Sequence, residues 1–224
     1  MGRAAGRKTA DVTVLMSRRR TFAGPRSLVL VALLGLAGCA SGYGTLTPSI
    51  SQPGIAAAYL PLRAKVHLGI DTAVGAAMVV RPGIAVTNAH NANLLDSKLV
   101  IGKAGQSDLL FFRAKDAPAP ATAAPVVGQV VTAYGQGTDG KLRFAHGVVR
   151  QIVKVQGYDA SPYFIFAADA GPGYSGGPVI DASGKLIGIT FGYKDQGSER
   201  LMYAYDMTRV MAELSLLEKR RPQS

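Results

Sequence analysis

The chain lacks what several protein classes require. Its 224 residues include one cysteine and no tryptophan, and 7% are aromatic. A lone thiol closes no intramolecular disulfide and builds no Cys-rich zinc site. No His, Cys, Asp or Glu cluster has metal-ligand spacing, and no Gly-rich loop carries a phosphate-cradling lysine, so neither a metal nor any other cofactor is expected. Charged residues are scarce at 17%, and no heptad pattern runs through the chain, which argues against a coiled coil. With 48% hydrophobic residues the chain is too apolar to stay disordered. Its 27 glycines and 12 prolines suit many short strands better than long helices.

The formal charge of +11 invites a nucleic-acid partner, but its distribution does not support one. Seven bases and one acid precede Cys39, so the remainder carries eighteen bases against thirteen acids, a net of +5. Those charges are dispersed, without aromatic interleaving or a basic helix, and no nucleic-acid binding is expected.

The basic leader has an export pattern. Arg18-Arg19-Arg20 is followed by the apolar run Leu28–Gly38, a positive n-region and an h-region. Eleven helical residues reach about 16 Å, half of the ~30 Å hydrocarbon core, which excludes a stable span. Residues 1–38 are therefore set aside as a signal peptide, with Met16 as an alternative start. Leu36-Ala37-Gly38-Cys39 resembles a bacterial lipoprotein box, which implies lipidation of Cys39, the one cysteine in the chain. Arg19-Arg20-Thr21-Phe22 resembles the core of a twin-arginine signal. Ala40 after Cys39 resembles lipoproteins sorted to the outer rather than the inner membrane, on the periplasmic side of a bacterial envelope. The Gly/Pro-punctuated residues 39–60 read as a flexible tether.

The rest reads as one domain over 61–224. Short β-type runs fill it: 63–70, 73–80, 84–87, 98–101 and 109–113, then 126–134, 142–155, 163–168, 178–180, 186–191 and 202–205. A proline-rich join at 117–125 separates a first strand cluster (61–116) from a second (126–207). One helix is expected over 208–221, where Val210, Met211, Leu214 and Leu217 share a face.

Two stretches carry chemistry. In Gly171-Pro172-Gly173-Tyr174-Ser175-Gly176-Gly177, glycines on both sides of a serine permit a tight turn. Such a turn can aim the N–H groups of Gly173 and Ser175 at one oxyanion, beside a nucleophilic hydroxyl. A Gly-rich turn between strands explains the same residues equally well. Thr87-Asn88-Ala89-His90 puts a histidine at the end of an apolar strand, where it can serve as a base or simply as a structural side chain.

Together these stretches resemble the trypsin-like serine peptidases, in the order His before Ser, and most of all their disulfide-free bacterial Deg-type and glutamyl-endopeptidase-like branch. Gly75–Val80, Gly184–Ile189 and Tyr203–Asp206 resemble the family's flanking segments. The resemblance implies an all-β, chymotrypsin-like fold: two small antiparallel barrels of the six-stranded type, the first abbreviated, with a C-terminal helix. It also implies a serine endopeptidase acting on protein or peptide substrates. Asp108-Leu109-Leu110 resembles the family's third motif, which implies that Asp108 orients His90 while Ser175 attacks. Asp96 and Asp116 are the rival acids. Asp169, six residues before Ser175, resembles either the family's pocket acid, which favours Arg or Lys, or, with Ala170, the Asp-Ala run that serves a strand in Deg-type proteases. Three features depart from the family: a gap of only 18 residues between His90 and Asp108, Tyr174 where Asp or Asn is usual, and Pro172 before Gly173. They leave open a catalytically inactive relative that acts as a binding or scaffold lipoprotein in the envelope. No C-terminal peptide-binding module is expected after residue 224.

Overall fold

The computed structural model describes residues 43–65, 71–154 and 163–220. Strands form where apolar residues alternate. In Tyr163–Ala168, for example, Phe164, Phe166 and Ala168 turn inward while their neighbours stay half-exposed. The elements are β1 (Thr45–Leu46), α1 (Pro53–Ala58), β2 (Tyr59–Lys65), β3 (Asp71–Arg81), β4 (Ile84–Thr87), β5 (Val100–Lys103) and β6 (Leu110–Arg113). They continue with β7 (Val130–Gln136), β8 (Leu142–Val153), β9 (Tyr163–Ala168), β10 (Pro178–Asp181), β11 (Leu186–Gln196), β12 (Glu199–Asp206) and α2 (Met207–Arg220).

All strand pairings within the two sheets are antiparallel. The first sheet runs β2-β3-β4-β6-β5. The second runs β1-β8-β7-β10-β11-β12-β9, and a further β8–β9 pairing closes six of its strands into a barrel. This closure is possible because β8 is long. Its Arg143 and Phe144 pair with β1, and Gly147 to Val153 pair with β9. The fold is therefore the chymotrypsin-like one expected, with a complete barrel and an abbreviated partner. Among the described residues no pairing joins β5 back to β2.

The cores differ in origin. Phe164, Phe166, Val179, Ile187 and Met202 form a core drawn from barrel strands, joined by Ala170 and Tyr174 from the loop between β9 and β10. The core of the first sheet, around Met78, Val86 and Phe111, also takes in Ile50, Ile55 and Ala58 from the N-terminal side. It adds Ile180 and Ile189 from the barrel and Val210 and Leu214 from α2. One expectation needs correction here. Residues 43–60, read as tether, carry β1, α1 and the start of β2, with Ile55 and Ala58 at 1% and 0% exposure. Burial of these apolar side chains outweighs the Gly/Pro composition that suggested a loose segment. Among the described residues no helix is long and apolar enough to cross a membrane.

Candidate active site

His90 leaves the first sheet at the end of a buried strand. Ala85, Val86, Thr87 and Asn88 are all buried, and the chain then turns into a 3-10 helix, Ala89–Leu94. That turn carries the imidazole into the open, with about half of its side chain (48%) exposed. Asp108 stands just before β6 and meets it. Its Oδ2 lies 2.5 Å from His90 Nδ1, and its Oδ1 accepts the His90 backbone N–H at 3.1 Å.

The rest of Asp108 is fixed as well. Its carbonyl accepts from Ala89 N at 3.2 Å and from Asn88 Nδ2 at 3.0 Å. Its own N–H donates to the Tyr205 hydroxyl at 2.9 Å, a contact reaching across from β12. Every polar group of Asp108 is thus engaged, which holds the carboxylate in one position. Burial pushes the Tyr205 phenol above its ordinary pKa, while the hydrogen bond from Asp108 works the other way; the ring is neutral at physiological pH. The rival acids are occupied elsewhere: Asp96 accepts from Lys98 N at 2.9 Å, and Asp116 lies exposed beyond β6.

The serine loop is wedged between the two halves of the domain, and its glycines are there for room. A Cβ on Gly176 would overlap Ala76 O and Thr87 Oγ1 of the first sheet. One on Gly173 would overlap Gln136 O, and one on Gly177 would overlap Tyr134 O of β7. Gly173 and Gly176 also have φ of 90° and 80°, a left-handed backbone that favours glycine. The loop is tied down by Gly173 O to Gln136 N (2.9 Å), Gly176 N to Thr190 O (2.8 Å) and Ser175 O to Ala76 N (2.9 Å).

Asn91 joins histidine and serine segments. One residue beyond His90, its Nδ2 donates to Ser175 O at 3.2 Å and to Thr87 Oγ1 at 3.0 Å. His90 and Ser175 are therefore brought to the same seam between the sheets. Among the described residues the Ser175 hydroxyl itself makes no hydrogen bond, to His90 or to any other group. The N–H groups of Gly173 and Ser175 have no acceptor among the described residues, whereas those of Tyr174, Gly176 and Gly177 are all engaged. Two free donors flanking the serine can serve an oxyanion.

Tyr174 fills the place of the smaller polar residue. It is fully buried in the barrel core and packs against Gly135 and Gly44, and its hydroxyl has no hydrogen-bond partner. Burial pushes that phenol well above its ordinary pKa. The loop is held here by packing.

Asp169 is exposed on a cleft of about 580 Å³ that it shares with Tyr43, His146, Arg150 and Arg200. His90, Asp108 and Ser175 do not line that cleft, so this arrangement lends no support to Asp169 as the base of a pocket beside Ser175. Cys39 lies outside the described residues. Among the described residues no cluster of His, Cys, Asp and Glu could hold a metal. Sequence reasoning missed Asn91 and Tyr205 as site residues. Asn91 adjoins His90 and was the easier to find, whereas Tyr205 looks like any other aromatic residue of an alternating strand.

A family model described as "Trypsin-like peptidase domain" matches residues 69–189, more than half of the chain. Among solved structures, the HtrA-type protease AlgW with a tripeptide is 21% identical at a TM-score of 0.59, over 74% of this chain and 62% of that one. A serine endoprotease from Yersinia pestis is 18% identical at 0.60, over 75% and 65%. Rv3671c of Mycobacterium tuberculosis, in an inactive mutant form, is 18% identical at 0.59, over 81% and 98%. The chain thus spans about three fifths of the length of the AlgW and Yersinia structures. No curated protein matches it.

Proposed function

The chain belongs to the trypsin-like peptidase family, and from that premise we propose that it is an exported serine endopeptidase working through His90, Asp108 and Ser175. The observation that carries this reading is the 2.5 Å contact between His90 Nδ1 and a fully engaged Asp108, across a seam from a serine flanked by two free N–H groups.

An imidazole that donates from Nδ1 to Asp108 keeps Nε2 as an acceptor. Nε2 takes the Ser175 proton as Oγ attacks the scissile carbonyl. The Gly173 and Ser175 N–H groups receive the charge that collects on the carbonyl oxygen. The imidazolium, stabilised by Asp108, then protonates the departing amine and leaves an acyl-enzyme, which water hydrolyses with His90 again as base. The Oγ–Nε2 hydrogen bond this requires is of a kind that is often long in the free enzyme and tightens when substrate binds. The substrates are proteins or peptides, and no cofactor takes part. Lipidation of Cys39 would hold the enzyme on the periplasmic side of an envelope membrane, the outer rather than the inner.

The unpartnered Ser175 hydroxyl and the buried Tyr174 favour a second reading, an inactive scaffold lipoprotein with the same fold. Fluorophosphonate labelling separates the two. Labelling of the wild-type protein that disappears in Ser175→Ala supports the enzyme; no labelling, or labelling that survives in Ser175→Ala, leaves the scaffold.

A further inference from the structure

The contacts made by Tyr43 and β1 change what a lipid on Cys39 would do. Read as a tether, residues 39–60 allow about 75 Å of reach. The described fold is instead already pinned at Tyr43, whose ring lies under the Arg200 guanidinium at 3.8 Å, and two residues later β1 is paired with β8. Only Ala40, Ser41 and Gly42 separate Cys39 from Tyr43, a span of at most about 14 Å. A domain of this size has a radius of gyration of about 16 Å and a diameter of about 40 Å. A leash shorter than the radius leaves the body no freedom to turn the Tyr43 face away from the lipid.

That face carries apolar surface with no partner in the fold. Val126, Val127 and Val130 are 59%, 57% and 58% exposed. The valines are continuous with the Tyr43 region. Val130 pairs with Val148 and Thr132 with His146 across β7 and β8, and His146, Val148 and Arg150 line the same cleft as Tyr43. Gly128 N bonds Val149 O at 2.8 Å, which fixes the turn bearing Val126 and Val127 over this part of β8. The other charges of the cleft are paired, Arg150 to Glu199 at 2.6 Å and Arg200 to Asp195 at 2.5 Å, which leaves Asp169 as its one exposed carboxylate without an ion pair among the described residues. Any attraction to a bilayer therefore comes from the valines, since the one unpaired charge beside them is negative.

We infer that the Val126–Val130 turn and the adjoining β8 face form a membrane-docking surface, which seats the domain on the bilayer that holds its lipid anchor. The inference rests on lipidation of Cys39. The turn enters the headgroup layer at valine depth, the leash keeps it there, and salt has little effect on the contact.

The test uses the full lipoprotein, purified and reconstituted in phosphatidylethanolamine–phosphatidylglycerol vesicles. Thioether lipidation consumes the only native thiol, so a Val127→Cys variant takes a single environment-sensitive fluorophore, and Ser97→Cys in the first sheet serves as comparison. Mass spectrometry of the N-terminal peptide reports the anchor independently. With Cys39 lipidated, the probe at 127 should be blue-shifted and quenched by spin-labelled lipid at least about twofold more than at 97, in low and high salt alike. Equal quenching on a lipidated protein overturns the docking surface and leaves the anchor standing. A blue shift without lipid quenching also overturns it, because a protein surface would then cover the valines. An unlipidated Cys39 removes the leash, and the docking inference fails with it.

Discussion

The two halves of the domain solve the same problem with unequal means. The barrel closes its hydrogen bonding on itself and fills its interior from its own strands and from the loop between β9 and β10. The five-stranded sheet keeps two edges among the described residues and completes its core with α1, α2 and the outer residues of the barrel. Closure removes strand edges, and an open sheet must have its exposed face covered by other elements. The difference explains how about 55 residues can carry His90 and Asp108 in place without a barrel of their own. The short half shares its core with the long one and is built onto it.

If the pair in the short half performs chemistry, its removal is the largest effect available. Asp108→Asn keeps the volume and the backbone contacts but reverses the preferred tautomer of His90. A fall in kcat of about 10⁴-fold with unchanged circular dichroism is expected. Activity on a peptide substrate within tenfold of wild type would remove Asp108 from the mechanism.

Gly176 tests the seam itself. Its Cβ-free backbone lies against Ala76 O and Thr87 Oγ1 at a φ of 80°. Gly176→Ala combines left-handed strain with backbone overlap and should cost on the order of 4 kcal/mol, read as a lowered denaturation midpoint. The loss should come with separation of the halves, so Ser175 labelling should fall even where the barrel persists. Gly192, with open space where its Cβ would stand, is the control: Gly192→Ala should leave the midpoint nearly unchanged.

The third contrast concerns where each core comes from. Leu214→Ala on α2 removes a fully buried side chain from the core of the first sheet, and about 3 kcal/mol of destabilisation is expected. Ile187→Ala in the barrel core should cost a comparable amount. The two should differ in hydrogen exchange. Leu214→Ala should speed exchange mainly in β2 to β6, and Ile187→Ala in both halves, because the first sheet cannot outlast the barrel that covers it. Equal loss of protection throughout in both variants would mean one undivided folding unit.

Much of this architecture was legible because strands announce themselves by alternation. Ile84–Thr87 and Tyr163–Ala168 were expected with the bounds observed, and the helix expected from 208 begins at Met207. Runs failed where a turn borrowed apolar residues. Val126 to Gln129 read as strand but form a turn, with Gln129 N on Val126 O at 3.1 Å and Gly128 at a φ of 86°. The hairpin at Gly197-Ser198 was missed because Lys194, Asp195 and Gln196 are polar and exposed, so no alternation marks the last residues of β11. At the candidate site, the glycines could be read as a tight turn, but which carbonyls they admit depends on β3 and β7, far away in the chain. The contacts of Asn91 and Tyr205 were hidden for the same reason, since both reach between halves and local pattern records only neighbours; Asn91 alone had a hint in its place beside His90.

The finest contrast is one atom reaching across that division. The Tyr205 hydroxyl accepts the Asp108 N–H at 2.9 Å, while its ring stacks on Phe191 with centroids 4.2 Å apart. Tyr205→Phe preserves the stacking and deletes the acceptor, so the Asp108 N–H is left without a protein partner while the other contacts of Asp108 are untouched. A lost hydrogen bond of this kind is worth about 1 kcal/mol, or roughly fivefold in rate if it is needed to hold the carboxylate against Nδ1. The loss should fall on kcat with KM unchanged, because Tyr205 acts on substrate only through Asp108 and His90. In proton NMR the Nδ1–H resonance of His90 should broaden and exchange faster. If Tyr205→Phe lowers stability by about 1 kcal/mol yet leaves kcat and that resonance alone, the hydroxyl ties the barrel to the sheet without positioning Asp108, and the short half holds its acid by its own contacts at His90, Ala89 and Asn88.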